Sequence, residues 1–159
     1  MGRFVLGEYK RSMDDRYRVS IPGELADQLN TSESPNCVLA KERSGALSLW
    51  HSEDWGAKLE KDISLIRSKI DAGRLHDRVS DLQSLGRLLS TRHRDVQIAG
   101  RGRLNIPEGF REFLGAEPGG DLIIVGAAVC IEIWRPDAWV EYLTSAIPQF
   151  GGLVEELAG

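Results

Sequence analysis

The same five-residue pattern occurs twice in this chain, and any fold proposed for it has to accommodate a duplication. Arg18-Val19-Ser20-Ile21-Pro22 matches Arg103-Leu104-Asn105-Ile106-Pro107 as arginine, apolar, small polar, isoleucine, proline, at an offset of 85 residues. Downstream, Leu25 falls on Phe110 and Leu29 on Leu114, spaced as one face of a short helix opened by a proline. After a single-residue deletion, Val38-Leu39-Ala40 aligns with Leu122-Ile123-Ile124 and Leu47-Ser48-Leu49-Trp50 with Ile131-Glu132-Ile133-Trp134, so that Trp55 falls on Trp139. Two copies of so long a unit imply a duplicated subdomain, because a stacked solenoid needs at least three.

Each copy reads as strand, turn, strand, short helix, hairpin and the start of a helix. Val19 and Ile21 alternate with Ser20, and Leu104 and Ile106 with Asn105, the period-2 pattern of a half-buried strand. Arg18 and Arg103 therefore point away from the core. Gly115 reads as a helix stop, Pro118-Gly119-Gly120 as a turn, and strands are expected on both sides of Gly126. Between the copies, Trp55, Leu59, Ile63, Ile66 and Ile70, then Leu75, Val79, Leu82, Leu85 and Leu89, recur at helical spacing, with Gly73 as the break. Ser52 is the expected cap of the first of these helices, and Pro136 opens its counterpart. The pattern predicts an α+β fold with halves at 1–60 and 88–147, a helical connector at 61–87, and a loosely held tail at 148–159.

Hydrophobic residues make up 42% and charged residues 28%, an ordinary globular composition. The longest apolar run, Leu122 to Ile131, is far short of the roughly 20 residues needed to cross a membrane, so no membrane association is expected. Met1-Gly2-Arg3-Phe4 lacks an export signal, which makes the cytoplasm the expected compartment. Cys37 and Cys130 lie in apolar strands without metal or redox spacing and are expected as buried, reduced thiols. His51, His76 and His93 are scattered with no nucleophile or paired carboxylate near them in sequence. Catalytic residues, metal ligands and cofactors are therefore not expected. Gly100-Arg101-Gly102 lacks the third glycine of a dinucleotide turn and the Lys-Ser/Thr of a phosphate loop.

The net charge of −4 argues against coating nucleic acid through bulk electrostatics, but the charge is unevenly placed. From Met1 to Pro22 five basic residues face three acidic ones, and from Arg87 to Arg111 six face two. The duplicated turns, Met13-Asp14-Asp15-Arg16-Tyr17-Arg18 and Ile98-Ala99-Gly100-Arg101-Gly102-Arg103, each carry two arginines two residues apart. On an extended turn such residues project to one side, so Arg16/Arg18 and Arg101/Arg103 are expected as two-pronged cationic tips. Arginine forks suit phosphate oxygens and the guanine edge, and a two-stranded ribbon enters the major groove. Alternatively, the arginines pair with Asp14, Asp15 or acids of a partner chain and only orient the turn.

The order Asp14-x-x-x-Arg18-x-x-x-Pro22, repeated around Gly102-Arg103-x-x-x-Pro107 with a downstream tryptophan in each half, resembles the MraZ family over roughly residues 4 to 145. That resemblance implies two AbrB-like, swapped-hairpin halves and a ring-shaped homo-oligomer whose motif arginines face double-stranded DNA. It implies a nucleoid-associated transcriptional regulator acting on short direct repeats upstream of the division and cell-wall gene cluster. Carried over, Arg18 and Arg103 contact DNA, Arg16 and Arg101 supply further positive charge, and Asp14 structures the turn. The sequence departs from the family motif at Tyr17, where glycine is usual, and at Ala99, where aspartate is usual. The alternative is a protein-protein interaction module of the AbrB antitoxin type, without specific DNA readout.

Overall fold

The computed structural model describes residues 4–29 and 35–159. Met1 to Arg3, on which the reading of the N-terminus rests, lie outside the described residues. The first half runs β1 (Val5–Ser12), β2 (Arg18–Ser20), α1 (Gly23–Leu29), β3 (Asn36–Arg43), β4 (Ala46–His51) and α2 (Ser52–Asp71). After α3 (Val79–Thr91), the second runs β5 (His93–Gln97), β6 (Arg103–Asn105), α4 (Glu108–Leu114), β7 (Asp121–Ala128), β8 (Ile131–Trp134) and α5 (Pro136–Ala146). The same order of elements thus appears twice.

The fold is mixed α+β, and its strands pair antiparallel throughout. Six of them form one sheet in the order β1-β7-β8-β4-β3-β5, while β2 and β6 make a separate ribbon. Exchanging each strand for its counterpart in the other half reproduces the same order from the opposite edge. The outer strand of each half lies against the hairpin of the other, Val5 to Ser12 on β7 and His93 to Gln97 on β3. Neither half owns a sheet of its own.

The core follows from the alternation seen in the sequence. Val19, Ile21, Leu25 and Leu29 of one half meet Leu104, Ile106, Phe110 and Leu114 of the other in a single cluster, beneath Leu39, Leu47, Leu49, Ile124 and Ile133 of the sheet. The tryptophan pairs are equivalent too. Trp50 and Trp55 lie 5.7 Å apart at 58°, Trp134 and Trp139 5.1 Å apart at 56°, both tilted as aromatic pairs prefer. Trp50 donates to Ser48 Oγ and Trp134 to Glu132 Oε1, each at 2.9 Å and each two residues back. Cys37 and Cys130 are free and buried, and burial pushes their thiols up to about 11 and about 12.

Three local expectations are corrected. Gly126 does not separate two strands but sits within β7, where β1 approaches so closely that a Cβ would lie 2.5 Å from Val5 O. The cap of α2 is His51 and not Ser52: the His51 Nδ1 accepts the Glu53 N–H at 3.2 Å. The tail is helical, since a 3-10 turn at Ile147–Gln149 leads into α6 (Phe150–Ala158). No helix among the described residues is long and apolar enough to cross a membrane.

Candidate nucleic-acid interface

The two duplicated turns are built by the same backbone bonds. Asp14 N donates to Arg18 O at 2.9 Å and Ala99 N to Arg103 O at 2.8 Å, while Tyr17 N and Gly102 N donate 3.1 Å to Asp14 O and Ala99 O. Each turn is also clasped by the other half, through Ile106 N to Tyr17 O at 3.0 Å and Ile21 N to Gly102 O at 2.8 Å. Between the clasps, β2 and β6 pair with Arg18 opposite Asn105, Val19 opposite Leu104 and Ser20 opposite Arg103. Val19 and Leu104 are buried, which leaves Arg18, Ser20, Arg103 and Asn105 on the outer face.

This pairing rearranges the expected tips. Arg18 and Arg103 stand at diagonal positions of one ribbon, about 7–8 Å apart at the backbone by the geometry of such pairs. Together with Arg101, Gln97 and Asn105 they line one open pocket of about 600 Å³. Arg16 is not among its lining residues; it is exposed, and its carbonyl accepts the Asn105 side-chain amide at 3.2 Å. The extended geometry that would place Arg16 beside Arg18 fails because Tyr17 between them has φ +61° and turns the chain. In the second turn Arg101 and Gly102 take φ +66° and +72°.

The turns differ in what holds them. Asp14 Oδ1 accepts the backbone N–H groups of Arg16 at 2.9 Å and Arg18 at 2.8 Å, and Oδ2 accepts Arg18 Nε at 2.9 Å. Chiefly the Arg18 N–H, then that of Arg16 and the Arg18 side chain, holds the Asp14 carboxyl below its usual range against a smaller opposing effect of burial. The second turn has Ala99 in that place and no such carboxylate. Tyr17, a bulky residue in a left-handed conformation, is braced by Arg111, whose guanidinium lies 3.6 Å from the ring centroid and donates to Ile106 O at 3.4 Å.

The basic run from Arg87 to Arg111 is not one patch. Arg92 lies 5.8 Å over Trp55, Arg94 lies 5.7 Å over Phe110, and Arg111 braces Tyr17; Arg101 and Arg103 are the members of the run that line the pocket. Gln97 and Arg111 carry no sequence signal for these places, since pairing across the halves sets both positions.

Fold and site together define a class: a mixed α+β protein in which one order of elements occurs twice and β2 and β6 pair into an arginine-bearing ribbon. Residues 91–150 match the model of the MraZ family, described as "MraZ protein, putative antitoxin-like". Relatives named "Transcriptional regulator MraZ" align over nearly the whole chain. That of Heliobacterium modesticaldum is 26% identical over 152 residues, covering 96% of this chain and 95% of its own. That of Treponema denticola is 26% identical over 156 residues, covering 96% of each, and that of Syntrophomonas wolfei 25% identical over 152 residues, covering 96% and 95%. The chain is thus similar to the MraZ family, by its model over residues 91–150 and by these relatives over nearly its whole length. Its relatives are named as regulators, in agreement with the expectation that this protein is not an enzyme.

Proposed function

We propose that this protein is a sequence-specific, DNA-binding transcriptional regulator of the cytoplasm and nucleoid. On this reading it acts as a ring-shaped homo-oligomer on short direct repeats upstream of the division and cell-wall gene cluster. The observation that carries the reading is the convergence of Arg18, Arg101 and Arg103, from both halves, on one exposed face of a two-stranded ribbon. Such a ribbon fits a major groove roughly 12 Å wide, and a bidentate arginine-guanine contact discriminates by about 1–3 kcal/mol. The relatives' name, transcriptional regulator, supports the same reading. The scaffold would be two AbrB-like, swapped-hairpin halves, 1–60 and 88–147, around the connector 61–87.

The two motif arginines contribute unequally. Arg18 is engaged by Asp14, whereas Arg103, with Ala99 in place of an aspartate, keeps its charge for a phosphate or a base edge. Arg16 and Arg101, both exposed, are placed to meet flanking phosphates. One ribbon gives a weak contact, and several in a ring sum by avidity.

Fluorescence anisotropy tests this with the duplex upstream of the protein's own gene against a scrambled duplex of equal length. Tighter binding of the native duplex, lost in Arg18→Ala and Arg103→Ala, is expected. Equal binding of the two duplexes would remove the specific regulator. Indifference to both substitutions would favour the protein-protein interaction module.

A further inference from the structure

The two copies differ at the second tryptophan of each pair. In the second copy the Trp139 indole donates to Glu8 Oε2 at 3.2 Å, so a carboxylate on the edge strand β1 satisfies it. The offset of 85 residues that matches the two turns sets Gly7 on Arg92 and Glu8 on His93. The first copy therefore has a guanidinium and an imidazole where the other has the acid. His93 lies against Trp55 with ring centroids 5.3 Å apart at 49°, and the Arg92 guanidinium lies 5.8 Å over the same indole. The Trp55 N–H is buried and has no acceptor among the described residues. Buried donors are rarely left so. An unpaired indole donor beside an arginine suits a carboxylate, the group that Glu8 supplies to the equivalent indole.

Beyond this head the surroundings are apolar. Between α2 and α3 runs a groove of about 540 Å³, headed by Trp55, Arg92 and His93 and walled by Leu59, Ile63, Ile66, Leu85 and Leu89. No helix precedes β1 among the described residues, so the other copy has no such groove. Along α2 the groove extends about 16 Å from Trp55 to Ile66. With C–C bonds of about 1.5 Å, a straight saturated chain of about ten to twelve carbons spans that length. Asp62 also lines the groove, about two turns beyond Trp55, where it repels an anionic head and leaves the Arg92 end as the place for one.

We infer that the α2–α3 groove binds a free aliphatic carboxylate of about ten carbons. Its tail lies along Leu59, Ile63, Leu85 and Leu89. Its head accepts the Trp55 N–H, while His93 and Arg92, the latter turning from the indole face, donate to the remaining lone pairs. The site is separate from the ribbon, and the inference is independent of DNA readout.

Isothermal titration calorimetry of the full chain with decanoate tests it, beside decanol and octanoate. Heteronuclear NMR follows the indole N–H resonances in parallel, with the Trp55 signal assigned by its loss in W55F. Expected are one decanoate per chain and an indole N–H shift that is largest at Trp55. Octanoate, two methylenes shorter, should bind about 15-fold more weakly. Decanol, which lacks the anionic head, should bind about tenfold more weakly than decanoate. W55F and R92Q should each weaken decanoate about tenfold and leave decanol unchanged, with the far-UV circular dichroism of wild type. No decanoate binding, decanol bound as tightly as decanoate, or indifference to both substitutions would overturn the site. Should a variant lose its dichroism, the wild-type contrast of decanoate with decanol and the Trp55 shift decide the matter.

Discussion

Gly102→Ala probes the turn that carries Arg103 at a single atom. Gly102 has φ +72°, and a Cβ there would lie 2.5 Å from the Ile21 carbonyl oxygen, a backbone atom that cannot rotate aside. The left-handed conformation costs a side-chain-bearing residue roughly 1–2 kcal/mol. Relief of the clash requires β2 and the second turn to part, weakening the 2.8 Å bond from Ile21 N to Gly102 O, whose net worth is about 1 kcal/mol. The sum is about 2–3 kcal/mol, which for a chain of this size lowers the melting temperature by roughly 4–12 °C. Thermal unfolding followed by circular dichroism measures this, at fixed protomer concentration because assembly shifts the midpoint. Tyr17, at the equivalent position, carries its side chain at φ +61°, with the ring against the Arg111 guanidinium. A G102A midpoint within about 1 °C of wild type would refute the reasoning that places the ribbon in contact with this turn.

Other predictions concern titratable groups. Because Asp14 is held below its ordinary value of 3.8, the unfolded chain takes up the proton first, and the carboxylate stabilises the fold above that value. The gap in melting temperature between wild type and D14A should be full at pH 7 and close as pH falls through the folded value; a gap unchanged at pH 3 contradicts this. Glu132 is shifted the opposite way, raised mainly by burial, with Glu42 adding to the shift and the Trp134 indole opposing it. Stability is therefore lost as pH rises from the ordinary value of 4.5 through that raised value, above which the cost is full, so E132Q should melt higher than wild type at pH 8 and not near pH 4. The Cys37 and Cys130 thiols, pushed up to about 11 and about 12, should react with a disulfide reagent at pH 8 only as fast as the chain unfolds.

The duplication was legible because its markers are local. Pro22 and Pro107 open short helices, Gly115 stops one, and the tryptophans recur two strands later. How the halves interleave was not, since pairing β1 with β7 and β5 with β3 is a long-range choice that no periodicity records. The site was legible to the same extent. The outward placing of Arg18 and Arg103 follows from strand alternation, and the turn-holding Asp14 carboxylate from the resemblance to the family motif. Grouping Arg16 with Arg18 required an extended backbone at Tyr17; the sign against it was the glycine usual there in the family, which marks the positive φ that Tyr17 adopts. Arg101 joins Arg103 and Arg18 at one pocket only because the second ribbon strand comes from the other half. The tail was read from Gly151-Gly152 and Pro148, residues that loosen a chain locally. The helical spacing of Phe150, Leu153, Val154 and Leu157 outweighs them.

The central claim is that one ribbon, built by both halves, reads DNA through arginines. A salt titration of anisotropy with the native upstream duplex tests it, comparing wild type with the double variant R18A/R103A. Wild-type affinity should fall steeply with salt, by about −0.9 in the logarithm for each phosphate neutralised, and the variant should bind more weakly with a shallower slope. Its preference for the native over the scrambled duplex should also vanish. An unchanged slope and an intact preference in the double variant would contradict the account.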